Sequence, residues 1–204
     1  MAGLREAKKL ETRARIVAAA LQLFAKQGYG AATVDDIARA ARVSTRSFFH
    51  YFATKEDVLL GDETELLAGL VADVRAAPAG ELAAPVLWDA LERLAARFDT
   101  DAATLRPRYT LILDEPAVHA RSLALQLQWE DQVATALSNR LTGPNRQARA
   151  QLLAAAGLAC LRVSARQWAT TDRPRSMRAL VALARRALEA DLASPTATPR
   201  RTVA

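Results

Sequence analysis

TVDDIARAARVSTRSFFHYFATK, residues 33–55, reads as two short helices joined by a tight turn, and the rest of the chain is arranged around it. Thr33 is an N-cap residue type, Asp35 and Asp36 follow where negative charge suits the helix dipole, and Val34, Ile37, Ala38 and Ala41 form an apolar stripe. Val43 fills the turn. Ser44 then caps a second helix, on which Phe48, Phe49 and Phe52 are the apolar anchors that dock it against its neighbours. Thr45, Arg46, Ser47, His50 and Tyr51 lie at the start and along the open face of this helix, and Lys55 opens the next. Polar side chains so placed suit the reading helix of a helix-turn-helix in a DNA major groove.

Working outward, residues 12–27 repeat apolar side chains at Ile16, Ala19, Ala20, Leu23 and Phe24, and Gly28 is placed to end that helix in a left-handed cap. Residues 12–52 therefore make a three-helix unit of helix-turn-helix size. Residues 1–10 have no regular apolar pattern and read as a flexible basic arm. Charge follows the same division. Residues 1–60 hold ten Lys or Arg against six Asp or Glu, and all four lysines of the chain; the remainder is nearly balanced, within an overall net charge of +6. A basic first third suits phosphate, although a solvated basic surface has the same composition.

At these residues the chain resembles the TetR-type transcriptional regulators. The resemblance rests on TRARIVAAALQLFAKQGYGAATVDDIARAARVS (residues 12–44) and RSFFHYFATKEDVLL (46–60), about a quarter of the chain. It implies that Thr33, the start of the second motif helix, Tyr51 and Lys55 meet DNA backbone or bases. Where the family's turn carries glycine, this chain has Arg42, which either holds a positive φ at a cost of about 1 kcal/mol or alters the turn, and which can add a phosphate contact. The candidate DNA-binding set is thus Thr33, Arg42, Ser44, Thr45, Arg46, Ser47, His50, Tyr51 and Lys55. Arg46 has the side chain for a bidentate guanine contact or for a phosphate. Thr33 and Ser44 are equally explained as caps, and Tyr51 as a packing aromatic.

The rest of the chain reads as all-α. A helix from Lys55 to Ala76 links the head to the body and is broken by Pro78, Ala79 and Gly80. Further helices are expected at 81–98, a short one started or kinked by Pro107 within 99–113, and then 116–141, 146–170 and 174–192. Residues 11–54 form the DNA-binding domain, 55–193 a helical ligand-binding and dimerisation domain, and 194–204 a disordered tail. Trp88, Phe98, Tyr109, Trp129 and Trp168 are large aromatics in an Ala- and Leu-rich body, and Arg106, His119, Gln126 and Arg162 interrupt apolar segments; together they are the candidate ligand pocket, with plain core packing the alternative for each aromatic. A salt bridge or a dimer contact explains Arg162 as well. The runs KEDVLLGD, LILDEPAVHARS and WEDQVATAL also resemble a branch of these regulators whose C-terminal domain is associated with acyl-CoA-like ligands.

Leu152, Ala156, Ala159 and Val163 on one helix, with Met177, Leu180, Val181, Ala184 and Leu188 on the last, form two apolar faces that suggest a homodimer interface. Two reading helices related by a two-fold axis require a palindromic operator. The expected function is a ligand-responsive, homodimeric repressor on double-stranded DNA, with a small-molecule effector and no cofactor. Two other classes compete: an all-helical enzyme, and a helical interaction protein without DNA binding. Against the enzyme, no nucleophile–base pair, phosphate loop or metal set stands at a telling spacing; a metal would have to recruit Cys160 with His50 or His119 from far apart. No apolar run approaches the roughly 20 residues that span a bilayer, and the start has no secretory core, so the expected location is the cytoplasm.

Overall fold

In a computed structural model that describes residues 2–61 and 63–193, ten α-helices follow one another: α1 (Ala2–Gln27), α2 (Val34–Ala40), α3 (Thr45–Tyr51), α4 (Lys55–Leu60), α5 (Glu63–Ala76), α6 (Ala83–Thr100), α7 (Ala102–Asp114), α8 (Pro116–Ser138), α9 (Arg146–Thr170) and α10 (Met177–Ala193). No strand occurs among the described residues, in keeping with the all-α reading. The 194–204 tail lies outside them.

Helices of seven residues, as α2 and α3 are, are unstable alone and depend on packing. The packing is a first core of Ile16, Phe24, Ile37, Phe48, Phe52, Val58, Leu59 and Leu60, joined by Ile112 of α7 and Val118 of α8. Each fully buried Ile or Phe side chain contributes about 1.5–3 kcal/mol, enough in sum to hold two such helices. A second core lies between α5, α6, α8, α9 and α10. There Gly157 lets α9 press on α6: a Cβ at that position would stand 2.8 Å from Leu87 Cδ2 and 3.0 Å from Leu91 Cδ1.

Several boundaries differ from the sequence reading. The helix expected from Lys55 to Ala76 is broken into α4 and α5 just past Leu60. Gly61 caps α4 with helical angles, φ −63° and ψ −20°, in a crowded position where a Cβ would meet Arg13 Nη2 at 2.5 Å, the Asp57 carbonyl oxygen at 2.8 Å and Phe52 Cε1 at 3.0 Å. α4 packs into the first core and also meets α7 and α8 of the body. Residues 2–10, read as a flexible arm, are the first turns of α1; they lack an apolar pattern because they project past the core, with the side chains of residues 6–11 exposed. α7 runs through Pro107 and does not start there.

Candidate nucleic-acid interface and ligand cavity

The turn between α2 and α3 is built by backbone chemistry. Thr33 accepts from the Asp36 amide at 3.1 Å, and Asp36 reaches back to the Thr33 amide and hydroxyl, which closes a capping box on α2. The Thr33 hydroxyl and then the Arg39 guanidinium hold the Asp36 carboxyl below the usual carboxylate range. At the other end, Val43 N–H donates to the Ala38 carbonyl at 2.9 Å and Arg42 N–H to that of Arg39 at 3.1 Å, a Schellman cap that needs a left-handed residue at Arg42. Arg42 is left-handed, with φ 55°. Ser44 then caps α3, accepting from the Ser47 amide at 3.0 Å, and the Thr45 hydroxyl donates to Asp35 at 2.7 Å, tying the two motif helices together.

Phe48 and Phe52 are buried and hold α3 against the core. Phe49 is not an anchor, as the sequence reading made it: it is 52% exposed, with its ring edge-on to Phe48 at 5.5 Å. Consecutive residues point about 100° apart on a helix, so Phe49 stands well away from its neighbour's direction. Thr33, Arg42, Ser44, Thr45, Arg46 and His50 are exposed, Ser47 and Tyr51 half-buried, and the His50 and Tyr51 rings meet edge-on at 5.3 Å. Lys55 has a different position from a free phosphate contact. Its Nζ donates to the carbonyls of Tyr29 at 2.8 Å and Ala32 at 3.0 Å and lies 4.1 Å from the Tyr29 ring centroid, so it pins the α1–α2 loop to the start of α4. The Tyr29 hydroxyl closes the same junction by donating to Glu56 at 2.6 Å. Burial first, then the Glu56 carboxylate, push the Tyr29 phenol well above its ordinary range.

In the body, a cavity of ≈ 50 Å³ lies between α6, α7, α8 and α9. Of the candidate pocket residues, Phe98, Tyr109, His119, Gln126, Trp129 and Arg162 line it. Trp88, Arg106 and Trp168 do not. Trp88 is buried, with the Arg185 guanidinium 5.5 Å from its ring centroid, and it packs α6 on α10. Arg106 donates to the carbonyls of Trp168 and Thr171, fastening α7 to the end of α9. Trp168 is a buried second layer, edge-on to Phe98 at 5.9 Å and Tyr109 at 6.4 Å. The sequence reading missed Ile112, Ser122 and Arg166, which also line the cavity; the i, i+4 spacing of Arg162 and Arg166 was the available signal for the last. Arg162 donates to Gln126 at 3.2 Å, and both arginines are exposed, which places two guanidinium groups at the rim of an apolar space.

The cavity and the head share a wall. Ile112 lines the cavity and belongs to the first core. One turn before it, buried Arg108 donates to the Leu59 carbonyl of α4, and on α8 Arg121 pairs with Asp57 of α4 at 2.7 Å. Residues 108–121 therefore touch the cavity on one side and α4 on the other.

The candidate dimer faces divide. Leu152 and Val163 of α9 are 72% and 59% exposed, with Ala156 and Ala159 half-buried along the same stripe. Met177, Leu180 and Val181 are instead buried in the chain's own second core, and Ala184 and Leu188 pack against it. Apolar periodicity marks a buried face without saying whether its cover is the same chain or another. Here α6 and α9 cover it.

Two family models match the chain: one described as bacterial regulatory proteins of the tetR family, over residues 16–61, and one described as the MftR C-terminal domain, over residues 83–193. The chain is 42% identical over 79 residues to the HTH-type transcriptional regulator TcmR of Streptomyces glaucescens, covering 39% of this chain and 35% of that protein. It is 32% identical over 131 residues to MftR of Mycobacterium tuberculosis, a protein assigned to the regulation of mycofactocin biosynthesis, covering 61% of this chain and 63% of MftR. The chain thus matches less than two thirds of the length of either relative. Among solved structures, Thermus thermophilus FadR, a TetR-family transcriptional repressor in complex with lauroyl-CoA, superposes with a TM-score of 0.61 at 29% identity, over 91% of this chain and 97% of that one.

Proposed function

This chain belongs to the TetR family of bacterial regulatory proteins, and from that premise we propose that it is a cytoplasmic, homodimeric repressor that holds a palindromic operator until an acyl-CoA-like molecule enters its body. Members of this family are transcriptional regulators, not enzymes. Thr33, Arg42, Ser44, Thr45, Arg46, Ser47, His50 and Tyr51 form the DNA-facing set, with the third Nζ proton of Lys55 left for a phosphate after its two carbonyl bonds. The exposed stripe of Leu152, Ala156, Ala159 and Val163 meets its symmetry mate to make the dimer.

The observation that carries the switch is the size of the cavity against the position of its wall. A space of ≈ 50 Å³ is far below the roughly 300–1,000 Å³ of ordinary ligand sites. An elongated apolar ligand therefore enters only by spreading α6–α9, and the α7–α8 part of that wall carries Ile112, Arg108 and Arg121, which grip α4. Entry must move the head. Arg162 and Arg166 at the rim suit an anionic end group, and the complex of T. thermophilus FadR with lauroyl-CoA supports the ligand class.

The test is a mobility shift with the DNA upstream of the protein's own gene. One fragment should be retarded as a protein dimer, with affinity falling by orders of magnitude between about 50 and 200 mM salt, and lauroyl-CoA should release it. Equal retardation of every fragment, or none of any, contradicts the reading.

A further inference from the structure

Resting on the reading of α3 as the helix that enters the groove, we propose that Phe49 reads a thymine methyl group, and that with Arg46 it sets a thymine beside a guanine within each half-site. Phe48 and Phe52 already supply the helix's buried side. At about 100° per residue, positions 46, 49 and 50 lie on the arc away from Phe48, and in the structure all three are exposed. Phe49 is thus a large apolar ring, 52% exposed, amid the polar side chains that face DNA.

The ring has no hydrogen-bond donor or acceptor for a phosphate oxygen or a base edge. In the major groove the apolar feature that distinguishes one base pair from another is the thymine C5-methyl, and aromatic side chains make that contact. The Phe49 ring packs edge-on against Phe48 at 5.5 Å and 88°, which leaves its outer edge open to a base. Arg46 precedes it at i−3, which puts the two Cβ atoms about 5–6 Å apart. That distance lies between one and two base steps of about 3.4 Å. A guanine bonded at O6 and N7 by Arg46 and a methyl touched by Phe49 are then within two steps of each other.

The experiment begins with the tightest duplex selected by the wild-type protein from a randomised library. Each thymine of a half-site is replaced in turn by deoxyuridine, which deletes only the methyl, and affinity is read by fluorescence anisotropy. One position should weaken binding about fourfold per half-site, the worth of one buried methyl-sized group, and its distance from the guanine protected by Arg46 should be one or two steps. In Phe49→Ala the ratio of thymine to uracil affinity at that position should fall to one. A wild-type protein insensitive to every substitution overturns the proposal without any variant having to fold. So does an unchanged ratio in Phe49→Ala, which would assign the methyl to another residue. Failure to select any preferred sequence overturns the DNA-reading assignment itself, and this inference with it.

Discussion

Arg42 occupies the left-handed region at φ 55°, where an L residue costs about 1 kcal/mol that glycine avoids. Arg42→Gly should therefore raise the melting temperature by about 2–4 °C, and, if the exposed guanidinium meets a phosphate, lower the salt slope of operator binding by about one unit. An unchanged melting temperature would remove the strain argument. Lys55 predicts the opposite. Truncation to Ala leaves the Tyr29 and Ala32 carbonyls without their donor, so Lys55→Ala should cost about 1–3 kcal/mol in urea unfolding, whereas a purely phosphate-binding lysine would leave stability unchanged. Arg46→Ala should cost about 1–3 kcal/mol on the operator and much less on random DNA. At this scale the caps were legible, because Thr33 and Ser44 act through local spacing. Lys55 was not, since its partners lie 26 and 23 residues away in sequence. Phe49 was misread for a nearer reason: three phenylalanines in five positions look like one face until the 100° step separates them.

Among the elements, α9 and α10 carry the clearest reversal. Leu180 and Val181 are sealed against α6 and α9, so Leu180→Glu should bury an unpaired charge and unfold the body, not merely split a dimer. Leu152→Glu with Val163→Glu, both on the exposed stripe, should leave the melting temperature nearly unchanged and give a folded monomer by analytical ultracentrifugation. A double variant that stayed dimeric would move the interface elsewhere. The helices themselves were visible in their apolar periods and in breakers such as Gly28 and Gly80, both at positive φ. The break after α4 was not: Gly61 keeps helical angles there, φ −63° and ψ −20°, and its crowding by Arg13 and Phe52 comes from residues distant in sequence.

Over the whole molecule, one shared wall couples the cavity to the head. Arg121 and Asp57 join α8 to α4 across a half-exposed surface, where an ion pair adds little to stability; Arg121→Ala should therefore fold normally and bind operator and ligand, yet show a smaller effect of one on the other. The pocket's location among α6–α9 could be anticipated from aromatics and interrupting polar residues, six of which line it. That Ile112 belongs to both the cavity and the first core could not, because it depends on how α7 crosses between them. The most direct measurement is reciprocal: operator affinity titrated with saturating lauroyl-CoA and without it, and lauroyl-CoA affinity by calorimetry with saturating operator and without it. Linkage requires both ratios to be equal, and the shared wall predicts a factor of about 5–150, corresponding to about 1–3 kcal/mol of coupling. Saturable lauroyl-CoA binding that left operator affinity unchanged would contradict the account.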